Sequence, residues 1–173
     1  VAADPISDNG GAGGGPQGDD FVLPFQTVRS RISGRIVRLG SVAETVLSRH
    51  SYPDPVSEAL GHALALTSLL GTTLNFDGRL ILQTRSDGPL GFLVAQFDTP
   101  GLVRGYASFD PARVAGGGPV MGNGQLAMTI DPGEGKERYQ GIVALERGGL
   151  AEAADAYFRQ SEQLPTLIRL AVA

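Results

Sequence analysis

The sequence contains no cysteine, only two histidines, and a single lysine, Lys136, among its 14 basic residues. Without cysteine, disulfides, thiolate nucleophiles and cysteine-ligated zinc are all excluded from this stretch of chain. His50 and His62 alone cannot furnish a metal site without several carboxylates, and one lysine leaves little room for amine chemistry. No apolar run reaches the roughly 18 residues of a membrane span, and no basic, apolar signal sequence opens the chain. A soluble protein of the cytoplasm is the reading that follows. Charge of one sign is also missing from the body. Against the 14 bases stand 18 acids, but Asp4, Asp8, Asp19 and Asp20 lie in the first 20 residues, where there is no base, so the remainder carries 14 against 14. A neutral body lacks the field of uncompensated cations that phosphates require, which argues against a nucleic-acid partner.

What is present is enough for one core. A chain of 173 residues buries roughly two thirds of the surface its unfolded form exposes. Residues 1–20 hold six glycines and two prolines and cannot offset the entropy of ordering so free a backbone. They read as a disordered, Gly-rich acidic tail, with residues 21–173 as the folded domain. The tail's glycine cluster is not a phosphate loop, because no strand precedes it and no helix follows. The chain starts at Val1 and stops inside the apolar run Leu167 to Ala173, so a fragment or processed product is expected.

From Phe21 to Val28 and from Arg29 to Arg38 the pattern suits a hairpin or bent ribbon, with Arg29 and Arg31 on one face and Val28 and Ile32 on the other. Ser41 with Glu44 has the capping-box spacing for a short helix over 42–47. Asp54 followed by Pro55 predicts an N-cap and first helical position. The helix beyond carries Val56, Ala59, Leu60, Ala63, Leu64, Leu66, Leu69 and Leu70 over more than one face and is expected to be largely buried. Residues 79–85 and 90–97 flank Asp87-Gly88 and read as a hairpin. A two-residue loop there would set Gln83 opposite Phe92, Ile81 opposite Val94, Arg79 opposite Gln96, Leu82 opposite Leu93 and Leu80 opposite Ala95. One hairpin face is then wholly apolar, and the other mixes Ile81, Phe92 and Val94 with Arg and Gln. Further strands are predicted at 103–109, 124–130 and 139–145, then a helix from Leu150 to about Gln163, then a last strand over 166–172. The fold class is α+β: a mixed, mainly antiparallel twisted sheet packed with two to three helices.

Chemistry is harder to find. Gly122-Asn123-Gly124-Gln125-Leu126-Ala127 fits G-x-G-x-x-A, but a Gly-Pro stretch precedes it and a strand pattern follows, so a glycine turn is the simpler reading. Aspartates 77, 87, 98, 110 and 131 sit at predicted strand ends, where Asx turns account for them. His50 has no nucleophile beside it, and Ser161, with Glu162 and Gln163 adjacent, has no histidine in its segment. No catalytic residue is assigned.

Five strings in order carry more information than any of these motifs: Leu80-Ile81-Leu82-Gln83 with Asp87-Gly88-Pro89, Arg104-Gly105-Tyr106-Ala107, Gly122-Asn123-Gly124-Gln125-Leu126, Tyr139-Gln140-Gly141-Ile142-Val143, and Tyr157-Phe158-Arg159-Gln160-Ser161-Glu162-Gln163-Leu164-Pro165-Thr166. Together they resemble the heat-shock protein 33 family, the redox-regulated bacterial holdases, over about residues 20–173. The resemblance implies a cytosolic, ATP-independent chaperone that binds unfolding proteins under oxidative and heat stress and prevents their aggregation. It further implies a homodimer, and a C-terminal zinc domain whose four cysteines form the redox switch. This chain stops where the linker to that domain would begin and has no cysteine, so no cofactor and no metal residue is carried over. Its expected partners are unfolded or partly unfolded client proteins, with no membrane and no nucleic acid. Ile81, Phe92 and Val94 are the candidate client-contact residues, and the apolar segment 167–172 is a second candidate that could instead exchange across a dimer. Two other classes stay open: a nucleotide or small-ligand enzyme using the Gly116–Gly124 loop, and a purely structural dimerisation module.

Overall fold

The computed structural model describes residues 7–8, 18–146 and 149–172. Eight strands and four helices follow in the order β1 (Ser7–Asp8), β2 (Phe21–Gln26), β3 (Ser33–Arg38), α1 (Ser41–Leu47), α2 (Asp54–Gly71), β4 (Arg79–Ser86), β5 (Leu90–Asp98), β6 (Leu102–Phe109), α3 (Pro111–Ala115), β7 (Gly124–Asp131), β8 (Tyr139–Leu145) and α4 (Leu150–Tyr157), with a π-helical turn over Phe158–Glu162. Five strands form an antiparallel sheet in the order β6-β5-β4-β7-β8, and β1, β2 and β3 form a small second sheet. The pair β1–β2 is parallel and β2–β3 antiparallel, so the α+β class and the mainly antiparallel pairing are as expected, with one helix more than predicted.

Helix α2 organises the interior. Val56, Leu60, Ala63, Leu64 and Leu66 are all fully buried, because the apolar residues occupy too wide an arc for one contact to cover. The sheet supplies most of that cover through Leu82, Leu93, Ala95, Phe97 and Val103, all at 0% exposure. Each such side chain contributes about 1.5–3 kcal/mol on leaving water. Helix and sheet approach closely where a glycine permits it: a Cβ on Gly105 would stand 2.9 Å from Leu64 Cδ2 and 3.0 Å from Leu60 Cδ1. Helix α4 covers the β8 end of the same face, where the Tyr157 ring lies against Gly141.

Several local expectations change. The expected 79–97 hairpin forms, but its register differs by two residues: Gln83 pairs with Val94, Ile81 with Gln96, Arg79 with Asp98, Leu82 with Ala95 and Leu80 with Phe97. A two-residue Asp-Gly loop would need Pro89 to close the ladder, and proline has no N–H to give. Instead Leu90 N–H donates to Val120 O at 2.8 Å and Asp87 N–H to Asn123 O at 2.9 Å, so the turn is braced by the chain entering β7. A slip of two residues preserves the faces. Arg29, Arg31, Val28 and Ile32 do not alternate across a strand; they lie in the β2–β3 turn, with Val28 96% exposed. The helix predicted to Gln163 leaves α geometry after Tyr157.

The strand expected over 166–172 does not form: the segment has no regular secondary structure and joins neither sheet. Its alternation reflects packing on helices: Ile168 is buried, Leu170 borders the core, and Ile168 N–H donates to Asp155 Oδ1 at 3.1 Å.

The capping box at Ser41 does not form. Gly40 is the N-cap, and the orphan donors are satisfied from 20 residues upstream: Asp20 Oδ1 accepts from Gly40 N–H at 2.7 Å and from Val42 N–H at 3.2 Å, and the Ser41 hydroxyl also donates to this carboxylate. Helix α2 likewise starts at Asp54 with Pro53 as its N-cap. The tail expected over residues 1–20 lies mostly outside the described residues. Of the described part, Ser7–Asp8 pairs with β2, and Asp19 forms an ion pair with Arg38 at 3.4 Å. Asp20→Ala should lower the unfolding free energy by about 1–2 kcal/mol, read as a shifted urea midpoint at constant slope. An unchanged midpoint would show that α1 needs no cap.

Candidate functional site

The helices α2 and α4 lie on one face of the five-stranded sheet, and among the described residues no helix lies across the other. Register fixes what that open face presents. Its central rung runs Tyr106–Val94–Gln83–Ala127–Ile142 from β6 to β8. On one side follows Ser108–Phe92–Arg85–Gln125–Ala144, and on the other Arg104–Gln96–Ile81–Thr129–Gln140. Ile81, Phe92 and Val94 therefore share one surface, each half-buried by its neighbours. Tyr106 at 45% and Ile142 at 55% exposure extend that apolar centre to both edges. Sequence reasoning missed these two, although the alternation within β6 and β8 already placed them opposite Ala107 and Val143.

Polar groups frame the centre. Asp98 accepts from Arg104 at 2.6 Å, pairs with Arg79 at 3.3 Å, and accepts from Gln96 Nε2 at 2.9 Å. Asp131 pairs with Arg138 at 3.0 Å and caps Gly133 N–H. The Arg85 guanidinium stands 5.5 Å above the Phe92 ring, a cation–π contact on the open side of the sheet. At the β6 edge the His50 ring lies 5.6 Å from Tyr106.

The remaining candidates are structural. Gly122 and Gly124 let the chain entering β7 press against Asp87, Gly88 and the Arg85 carbonyl, with no space for a side chain. The residues after Gly124 continue as β7 rather than as a helix, so the geometry of a dinucleotide turn is not reproduced. Asp110 caps α3, accepting from Ala112 and Arg113 N–H; the Asp-Pro signal noted at Asp54–Pro55 recurs there and could have found this helix. Asp77 is the titratable group lining a cavity of about 420 Å³ with Val22, Leu74, Phe76, Phe97 and Pro100. Among the described residues no three His, Cys, Asp or Glu side chains gather as a metal would need. The cysteine–zinc centre implied by the resemblance thus has no fitting donors in this chain.

Near the C-terminus, Ser161 is exposed on the π-helical turn, and the adjacent Glu162 accepts from Tyr157 Oη at 3.0 Å. Burial first, then hydrogen bonds with Tyr139 and Glu162, push the Tyr157 phenol well above its usual range. The folded state therefore favours the neutral phenol. That contribution is complete below about pH 10, the unfolded tyrosine value, and is lost as pH rises beyond it. Tyr157→Phe should cost about 1 kcal/mol near neutrality and flatten the alkaline limb of the stability profile. A limb as steep as the parent's would assign it to another group.

The candidate site is thus a one-sided sheet surface rather than a cleft, the geometry of an interaction surface. The comparisons make the assignment specific: the family model for the Hsp33 protein matches residues 20–173, and the chain belongs to that family, which is not an enzyme family. It is 46% identical over 163 residues to a 33 kDa chaperonin of Caulobacter vibrioides, an alignment spanning 89% of this chain and 54% of that one. A 33 kDa chaperonin of Ectopseudomonas mendocina is 42% identical, over 86% and 51% of the two chains. The crystal structure of the 33 kDa chaperonin from Thermotoga maritima superposes with a TM-score of 0.72 at 27% identity, covering 86% of this chain and 53% of the other. The chain spans about half the length of the curated relatives it matches. No helix among the described residues is long and apolar enough to cross a membrane.

Proposed function

We propose that this chain is the client-binding part of a holdase, an ATP-independent chaperone of the cytoplasm, and that the open sheet face carries the contact through Ile81, Phe92 and Val94. The observation that supports this reading most directly is the open face itself, on which these three side chains meet Tyr106 and Ile142. A chaperone of this kind needs no nucleophile and no phosphate loop. It needs apolar area that stays accessible without self-association, and such patches mark interaction surfaces. Family membership supports the same reading. Redox regulation through a cysteine–zinc domain belongs, on this proposal, to the part of the relatives that this chain does not span. Residues 21–173 then act as a client-binding and dimerising domain. The proposed homodimer would use the C-terminal segment, where Leu167 is 73% and Val172 47% exposed.

Light scattering of an unfolding client, with and without the chain, in reducing buffer without ATP, tests the reading. Suppression of aggregation is expected. Failure by a demonstrably folded chain would overturn it. Phe92→Ser combined with Val94→Ser should weaken client binding by about 2 kcal/mol, roughly thirtyfold, while the unfolding midpoint moves by only a few degrees. Collapse of the fold would instead make the two residues core.

A further inference from the structure

We infer that the open face selects apolar client segments that carry acidic flanks, and that Arg85 is the residue that sets this preference. The inference rests on the proposal that this face contacts clients and goes on to specify their chemistry. The carboxylates of the face are already matched: Asp98 is shared by Arg79 and Arg104, and Asp131 is held by Arg138. On the strands of the face the guanidinium groups of Arg79, Arg85 and Arg104 stand against the carboxylates of Asp98 and Asp131, so the face carries one net positive charge within a body that is neutral overall. Arg85 is exposed, and its recorded contact is with the face of Phe92. Across the rung it meets Gln125, and beyond that Ala144, neither of which bears charge.

That placement has a consequence for any segment entering the apolar centre. A side chain that packs on Phe92 must move the guanidinium off the ring and forfeit the cation–π attraction. A carboxylate in the segment's flank gives the displaced cation a new partner beside a partly desolvated surface, whereas a lysine flank brings two like charges together. Neutral flanks leave the loss uncompensated. The amides of Gln83 and Gln125 can donate to or accept from an incoming backbone without regard to charge, while Gln96 and Gln140, which donate to Asp98 and Thr129, keep an oxygen that can accept. They therefore favour binding in general and leave discrimination to the arginine.

The test uses the whole chain and three short fluorescent peptides with one Phe-Leu-Val-Phe core, flanked by Asp, Ser or Lys pairs, titrated by anisotropy at low salt. The Asp-flanked peptide should bind roughly three- to tenfold more tightly than the Lys-flanked one, with the Ser-flanked peptide between them. The ratio should fall toward one at about 1 M salt, where the screening length is about 3 Å. Arg85→Gln should collapse the ratio, and Arg85→Lys, which keeps the charge, should retain most of it. Equal binding of all three peptides to the parent chain would overturn the inference while leaving the client-binding reading intact. A ratio that persists in Arg85→Gln would overturn the role of Arg85. Failure of the Ser-flanked peptide to bind a folded chain would overturn the underlying reading itself.

Discussion

The rest of the structure depends on the packing of α2 against one face of the five-stranded sheet. A helix buried on more than one side needs a broad apolar partner, and the inner residues of β4, β5 and β6 supply it. Their side chains meet the helix closely enough that Gly105 and Gly71 have no room for a Cβ beside Leu64 and Phe97. Because strand side chains alternate, committing Leu80, Leu82 and Thr84 to α2 fixes Ile81, Gln83 and Arg85 on the far side. The character of the open face is thus the other half of the pattern that builds the core. Helix α4 extends the same asymmetry to β8, where Gly141 admits the Tyr157 ring while Ile142 turns outward.

This is also why the faces were legible in the sequence when the register was not. Period-two alternation states which residues share a side and says nothing about the rung each occupies. The Asp87-Gly88 pair suggested a tight turn, but Pro89 has no donor, and the donors around it go to Val120 and Asn123. The partners lie 30 and 36 residues downstream of their donors, beyond the reach of local turn rules. The same limit applies at α1: Ser41 and Glu44 satisfy the spacing of a capping box, yet the carboxylate that meets the helix start comes from Asp20. The strand expected over 166–172 is likewise absent: Ile168 is buried and Leu170 borders the core, but the Ile168 N–H goes to Asp155 and not to a ladder. An extended chain lying on helices buries every second residue just as a strand does, and only the destination of its N–H groups separates the two. The candidate contact residues Ile81, Phe92 and Val94 were visible because they interrupt an otherwise polar face. Tyr106 and Ile142 were not, because their strands were read singly, and a surface five strands wide exists only after pairing.

An open sheet face with an apolar centre carries a hazard, since apolar surface that attracts unfolding chains also attracts its own copies. Two features of this face oppose that outcome. Each rung interrupts the apolar side chains with a glutamine or an arginine, which limits contiguous apolar area without removing it. On its strands one guanidinium remains in excess of the carboxylates, so two such faces brought together carry like net charge. Exposed hydrophobic residues of the β2–β3 hairpin, Phe25, Val28, Ile32 and Ile36, are handled similarly, with Arg29, Arg31, Arg35 and Arg38 interleaved. Arginine rather than lysine suits both places: its planar, weakly hydrated guanidinium can lie on an aromatic ring, as Arg85 does on Phe92, and still carry full charge. On the proposed reading, the Arg85 guanidinium that lies over Phe92 is what an incoming apolar segment would displace. The group that gives the face its excess charge would then also be the group that a bound segment must move, so on that reading a change at Arg85 alters charge and binding together.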